Sequence, residues 1–437
     1  MQRRYFLHNL LVTAIAAGVA PADDGPPPVR RITRGPKFHW FGYYDKWQFD
    51  PTGRYVLGNQ VDFEHRSPRP DDVIKIGMVD LHDGDRWVEL GETRAWNWQQ
   101  GCMLQFVPGS KTDVIWNDRV TEGGKEKFVA HILNIKTRKR RTLPAPIYAI
   151  SPDGRTAVAP DFRRLNDCRP GYGYAGLADP HAAQAAPRES GIWKMDLRSG
   201  KQELIASFAE IAAMPYQEKS RPHHNDPERS KHWFNHLLFS TDGSRFLWLH
   251  RWREMTGEET RQQLSGGGVK PFSTRMFTAN PNGQDRYLLD PYGGTSHFVW
   301  RDPQHIAAWA WHPSLSQQRF YLYRDKTTQV EPIGPDVMTE NGHNTYLPRQ
   351  NNEWILNDTY PDKERKQHPY LYHVPTRRRV PLGHFFSPPE YTGEWRCDTH
   401  PRYSPDGTKV VIDSTHEGLG RQMYLIDVSR LAPRNRK

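Results

Sequence analysis

Short apolar runs alternate with polar turns along most of the chain, and one kind of turn keeps returning. It is of Ser-Pro-Asp-Gly type, with an aromatic residue shortly before it. Clear copies stand at 151–154, 240–243 and 404–407, a recognisable one at 50–53, and degenerate ones at 107–110, 301–304 and 348–351. Runs such as Phe246-Leu247-Trp248, Trp354-Ile355-Leu356 and Val410-Val411-Ile412 follow them. Proline presets such a turn and glycine accepts positive φ, so each copy predicts a β-hairpin.

A second repeat interleaves with the first and reads strand, polar turn, strand. It covers 76–90, 131–143, 191–205, 276–289, 320–333 and 370–382, and its last copy, 422–428, has one strand only. Together the repeats predict an all-β fold, a seven-bladed β-propeller of four-stranded antiparallel blades. The strand missing from the last blade is expected from 29–33, which would close the ring and leave no open edge. One domain is expected over 25–437, with an insertion at about 163–231. Within the insertion 207–214 has helical character, and the rest outside the hairpin reads as loop.

In a propeller the first strand of each blade lines the central channel, and the hairpin turn after it lies on one face. The start of that strand and the end of the next therefore meet on the opposite face. Four positions before the turns stand Lys46, Met103, Ile147, His236, His297, Asn344 and His400, with His343 beside Asn344. The last four blades thus bring imidazole or amide to one mouth. The second-strand ends add Asn117-Asp118-Arg119, Asp161 with Arg163, His250-Arg251, His312, Asn357-Asp358, and Asp413 with His416. Arg396 stands just ahead of His400, and the loop 221–226 is placed to fold over the same rim. Such a cluster is what a polar substrate site needs. The alternative is that these side chains bond only backbone and trapped water.

Hydrophobic residues make up only 36% of the chain and the mean hydropathy is −0.83, low for one large core. Aromatics at 12%, 15 of them Trp, compensate by filling many small blade cores and argue against disorder. A net charge of +10 favours anionic partners, but the basic residues are scattered, and the densest run, 136–141, falls in a turn. Nucleic acid is not an expected partner without a basic stripe. Arg3 and Arg4 precede an apolar stretch at 10–19 and a small-residue end at 20–22. That predicts a twin-arginine-like export signal over 1–24, a periplasmic or secreted product, and no membrane span after its removal. Three cysteines without a Cys-x-x-Cys pair exclude a disulfide scaffold and a structural zinc knuckle.

With the hairpins and the His-led strands in place, the chain resembles the β-propeller polysaccharide lyases, which include oligogalacturonate lyases and propeller-type ulvan lyases. The likeness lies in His297-Phe298-Val299-Trp300, in Gly342-His343-Asn344-Thr345-Tyr346 and in 397–407, which opens Cys397-Asp398-Thr399-His400. It implies β-elimination in a uronic-acid polysaccharide or oligosaccharide at the axial face. That chemistry needs a neutralised carboxylate, a base for the adjacent C–H, and an acid for the departing oxygen. On that implication His236 or His400 is the base, Arg251 and Arg396 hold the carboxylate, and Tyr44 or Tyr174 is the acid. Lys46, His250, Asn344, Asn357, His416 and Tyr174 are expected substrate contacts. The resemblance also implies a divalent metal, manganese, zinc, iron or calcium, held by His297, His343 and His400. The second blade reads Asn97-Trp98-Gln99-Gln100-Gly101-Cys102, without the histidine of an ulvan-type site, which points away from ulvan.

Two other readings stay open on the sequence. A glycoside hydrolase would draw a carboxylate pair, about 5–10 Å apart, from Asp45, Asp118, Asp161, Asp358 and Asp413. A non-catalytic propeller would bind anionic glycan or protein, since a fold does not fix a function.

Overall fold

A computed structural model describes residues 25–216, 225–254 and 272–431. Each hairpin turn is built as its sequence requires. At 240–243 the Gly243 amide donates to the Ser240 carbonyl at 3.0 Å, with Gly243 at φ 74. The Ser240 hydroxyl donates to Asp242 at 2.7 Å and accepts from the Arg245 amide at 3.0 Å. The same bonds recur at Ser151 and Ser404. In the first copy Asp50 replaces the serine, and its carboxylate takes the Arg54 and Tyr55 amides at 2.8 and 2.7 Å.

These turns and the interleaved hairpins make seven four-stranded antiparallel sheets, the blades of a propeller. Blade 4, for example, runs Lys231–Phe239, Phe246–Arg253, Ser273–Ala279 and Tyr287–Asp290 from the channel outward. In blade 7, Arg402–Tyr403, Lys409–Ser414 and Gln422–Asp427 are joined by Val29–Arg31, which pairs antiparallel in the register Val29 to Ile426 and Arg31 to Tyr424. Tryptophans fill the blade cores: Trp40, Trp96, Trp98, Trp116, Trp233, Trp248 and Trp252 are fully buried. A short extra sheet, Lys366–Gln367 with Phe385–Phe386, has no counterpart in the repeat.

The insertion differs from the sequence reading. A helix spans Phe162–Cys168 where loop is expected, because the Asp161 side chain caps it by accepting the Arg163 amide at 3.0 Å and Leu165 packs inward. The second helix, Phe208–Ala212, falls where helical character is expected and has a Ser207–Glu210 capping box. Arg164 is fully buried, bonded to Asp179 at 2.9 Å and to the His232 carbonyl at 2.6 Å. That anchor turns the segment after the first helix back over the propeller axis. Cys102, Cys168 and Cys397 are all buried and free. The leader at 1–24 and the loop positions 221–224 lie outside the described residues.

Candidate active site

His236 reaches the axis because blade 4 is bulged at that point. The pairing of its first two strands shifts register between Asn235 and Leu238, and His236 takes φ 52. A bulge re-aims a side chain, and Met103, the equivalent channel residue of blade 2, also takes a positive φ of 58. His400 stands at φ 39 in the corresponding position of blade 7. The two imidazoles come together with His297 and His343. Ring centroids are 4.2 Å apart for His297 and His343, and 4.2 Å for His343 and His400. Tyr43 bridges the group, stacked on His236 at 5.0 Å and edge-on to His400 at 5.3 Å.

Burial depresses the basicity of His236, helped by the charge of Arg251, and of His297 and His400, helped by neighbouring His343. These three are neutral imidazoles at physiological pH. His236 Nδ1 lies 3.3 Å from both the Tyr148 hydroxyl and the Gln100 amide, and Nε2 lies 3.3 Å from the Tyr43 hydroxyl.

His343 is oriented by Asp358, whose carboxylate lies 2.9 Å from Nδ1 and also accepts the Thr399 hydroxyl at 2.6 Å. A carboxylate only accepts, so Nδ1 carries the proton and Nε2 keeps its lone pair. The Nε2 atoms of His343 and His400 are buried without a hydrogen-bond partner among the described residues, and that of His400 lies 3.9 Å from Asp398 Oδ2. Together with an Asp398 oxygen they form a set of possible ligand atoms within 4.8 Å of one another. Two imidazoles and a carboxylate fit a divalent transition ion; calcium, which takes oxygen ligands, fits them poorly. Asp398 enters this set where the sequence reading had His297, whose Nδ1 is 2.9 Å from Asn341 Oδ1.

The cations at this mouth divide into paired and unpaired. Arg396 bonds Asp398 at 2.8 Å, the Gly393 carbonyl at 3.1 Å and the Tyr172 hydroxyl at 2.9 Å. Arg251 is only 4% exposed, yet its guanidinium has no hydrogen-bond or ion-pair partner among the described residues. Arg169, just past the first insertion helix, has none for its side chain either. Both lie over the Phe272 ring, at 4.6 and 5.2 Å. Burial and the Arg169 charge pull Arg251 down to about 10, so it stays cationic. Tyr172 completes the group, its ring 5.6 Å from that of His236. Burial pushes its phenol up, but Arg396 and Arg169 outweigh this and hold it below the ordinary tyrosine value. Tyr43, Tyr44 and Tyr148 are pushed upward by burial instead.

The chain matches no protein-family model and no curated protein sequence. Solved structures do match. An oligogalacturonate lyase from Vibrio parahaemolyticus superposes with TM-score 0.60 at 14% identity, covering 92% of this chain and 94% of that one. An oligogalacturonate lyase in complex with manganese gives TM-score 0.61 at 14% identity, over 92% and 93%. This chain shares their fold. TolB from Acinetobacter baumannii overlaps less well, with TM-score 0.38 at 12% identity over 86% and 81%.

Several residues singled out in the sequence sit elsewhere or are already engaged. The Tyr44 hydroxyl is clamped by the Phe298 carbonyl at 2.9 Å and amide at 3.1 Å. Tyr174 is buried, stacked on Phe162 at 4.2 Å, and its hydroxyl bonds Asn117 at 2.9 Å. The Asn344 amide donates to the Ala307 carbonyl, and that of Asn357 to the Tyr370 hydroxyl at 2.7 Å. His250 points into blade 4, between His232 at 2.8 Å and Arg275 at 3.1 Å. His416 packs against Tyr424 and Phe385. Lys46 pairs with Asp45 at 2.9 Å and, with it, lines a cavity reached from the turn face. Sequence reasoning missed Arg169, Tyr172 and Asp398. The segment Arg169-Pro170-Gly171-Tyr172-Gly173-Tyr174 carried one available signal, an arginine beside a glycine-hinged tyrosine.

Proposed function

We propose that this protein is a lyase that cleaves a uronate-containing oligosaccharide or polysaccharide by β-elimination at the histidine-lined mouth. The observation that carries the reading is Arg251, a buried guanidinium with no partner among the described residues, beside a neutral histidine. A buried cation without a partner is costly, and a substrate carboxylate removes that cost. Arg251 and Arg169 bind the uronate carboxylate and draw charge from it, which acidifies the adjacent C–H. The neutral His236 takes that proton on its unprotonated ring nitrogen once substrate displaces the hydrogen-bond partner there. Tyr172 gives its proton to the glycosidic oxygen as the C–O bond breaks, and Arg396 stabilises the resulting phenolate. A divalent cation held by His343, His400 and Asp398 would supply Lewis-acid polarisation of substrate oxygens. The fold shared with two oligogalacturonate lyases, one of them in complex with manganese, supports both parts of the reading.

Hydrolysis by a carboxylate pair is disfavoured because all five aspartates are engaged: Asp45 by Lys46, Asp118 by His131, Asp161 by Arg163, Asp358 by His343 and Asp413 by Arg402. The deciding assay incubates the protein with a panel of uronic-acid oligosaccharides and follows ultraviolet absorbance of the unsaturated product. Its appearance, and its loss in His236→Ala, is the expected result. New reducing ends without that absorbance would establish hydrolysis, and binding without either would establish a binding module. We also propose export through the 1–24 leader; cell fractionation and N-terminal sequencing of the mature protein test it. Among the described residues no helix is long and apolar enough to cross a membrane.

A further inference from the structure

The axial channel has a second end. On the face that carries the hairpin turns, a cavity of about 270 Å³ opens along the axis, with Pro152, Thr241 and Pro405 from three turns among its lining residues. Tyr44, locked by its two bonds to Phe298, stands between this cavity and the histidines, with its ring 5.3 Å from that of His343. The two ends of the channel are therefore separate sites.

We infer that this cavity is a second binding site, for a single neutral sugar ring. Three features specify the ligand. At this end Trp47, otherwise in a molecule that buries its tryptophans well, is 48% exposed. An accessible indole offers a flat face to the C–H side of a pyranose, an amphipathic fit. At the inner end the Asp45 side chain is only 6% exposed, and its Oδ1 has no partner among the described residues. A buried carboxylate oxygen needs a donor, which a sugar hydroxyl provides and an apolar ligand does not.

Charge supplies the third feature. The ionic groups lining the cavity are matched: Asp45 bonds Lys46 at 2.9 Å, and Arg402 bonds Asp413 at 2.8 Å. A uronate would bring an uncompensated charge against the Val299, Leu238, Phe239 and Trp300 walls, whereas a neutral ring brings none. The volume lies just under the roughly 300–1,000 Å³ of pockets for larger ligands, which suits one ring rather than a chain. The Arg251 mouth and this cavity thus differ in the charge they accept, and this proposal does not depend on the lyase reading.

The test is saturation-transfer NMR on the full chain with methyl β-xylopyranoside, methyl α-rhamnopyranoside and methyl α-galactopyranoside. At least one should receive saturation at millimolar concentration. The signal should fall at least tenfold in Trp47→Ala, persist in Trp47→Phe, and be unchanged in Arg251→Ala. Trp47 is exposed, so an unaltered melting temperature will verify that the variants fold. The proposal is overturned by no transfer to any glycoside, by transfer undiminished in Trp47→Ala, or by loss in Arg251→Ala. Preferential transfer to benzyl alcohol, an apolar probe, or to a tyrosine-containing peptide would overturn it as well.

Discussion

Two titrating groups at the histidine-lined mouth are pushed in directions that widen or narrow the working pH range, and each makes a prediction. The base must be unprotonated. Burial holds His236 well below the ordinary histidine value, so activity should persist as pH falls through about 6.5, with the acid limb of kcat/KM below it. The acid must keep its proton. Arg396 and Arg169 hold Tyr172 below the ordinary tyrosine value, so the alkaline limb should begin below about pH 10. Tyr172→Phe should abolish that limb and lower kcat by about 10²–10⁴. Arg251→Ala should cost about 10²–10³ in kcat/KM, measured by unsaturated-product formation. The histidines were legible because repeat spacing fixes which residue of each blade meets the axis. Tyr172 and Arg169 were not, because long-range bonds hold their segment inward, among them Arg164–Asp179, Asn97 to the Gly173 carbonyl and Arg396 to Tyr172. Tyr174, two residues on, shows how little sequence distance separates a rim phenol from a packed one.

At the scale of elements, the blades were legible wherever turn chemistry is local. Ser240, Asp242 and Gly243 satisfy one another, so the hairpin can be read without its neighbours. The helix Phe162–Cys168 was not, since Asp161 read as a rim carboxylate and is instead its cap. Another rim aspartate also proves structural. Asp413 and Arg402, with side chains 3% and 2% exposed, tie blade 7 to the first blade through the Phe41 and Gly42 amides and the Gly42 carbonyl. Removing one partner of a buried pair leaves the other charge stranded. Asp413→Ala should therefore lose about 3–5 kcal/mol in chemical denaturation.

The whole molecule stores neutral histidines in its interior, and this sets its acid limit. Burial brings His39 and His232 down from 6.5 to about 4. The unfolded chain therefore takes up protons first, and stability present above about pH 6.5 is lost as pH falls toward 4. Thermal melting followed across that range should show the decline, and a midpoint flat from 7 to 4 would contradict it.

One pairing orders events in time. Val29–Arg31 leaves the ribosome long before its partner Gln422–Asp427. That sheet cannot assemble until residues 422–427 have emerged, so its outer strand waits while some four hundred residues are added. A nascent chain stalled before residue 422 should leave 29–31 open to protease, and a chain extended well past residue 427 should protect it.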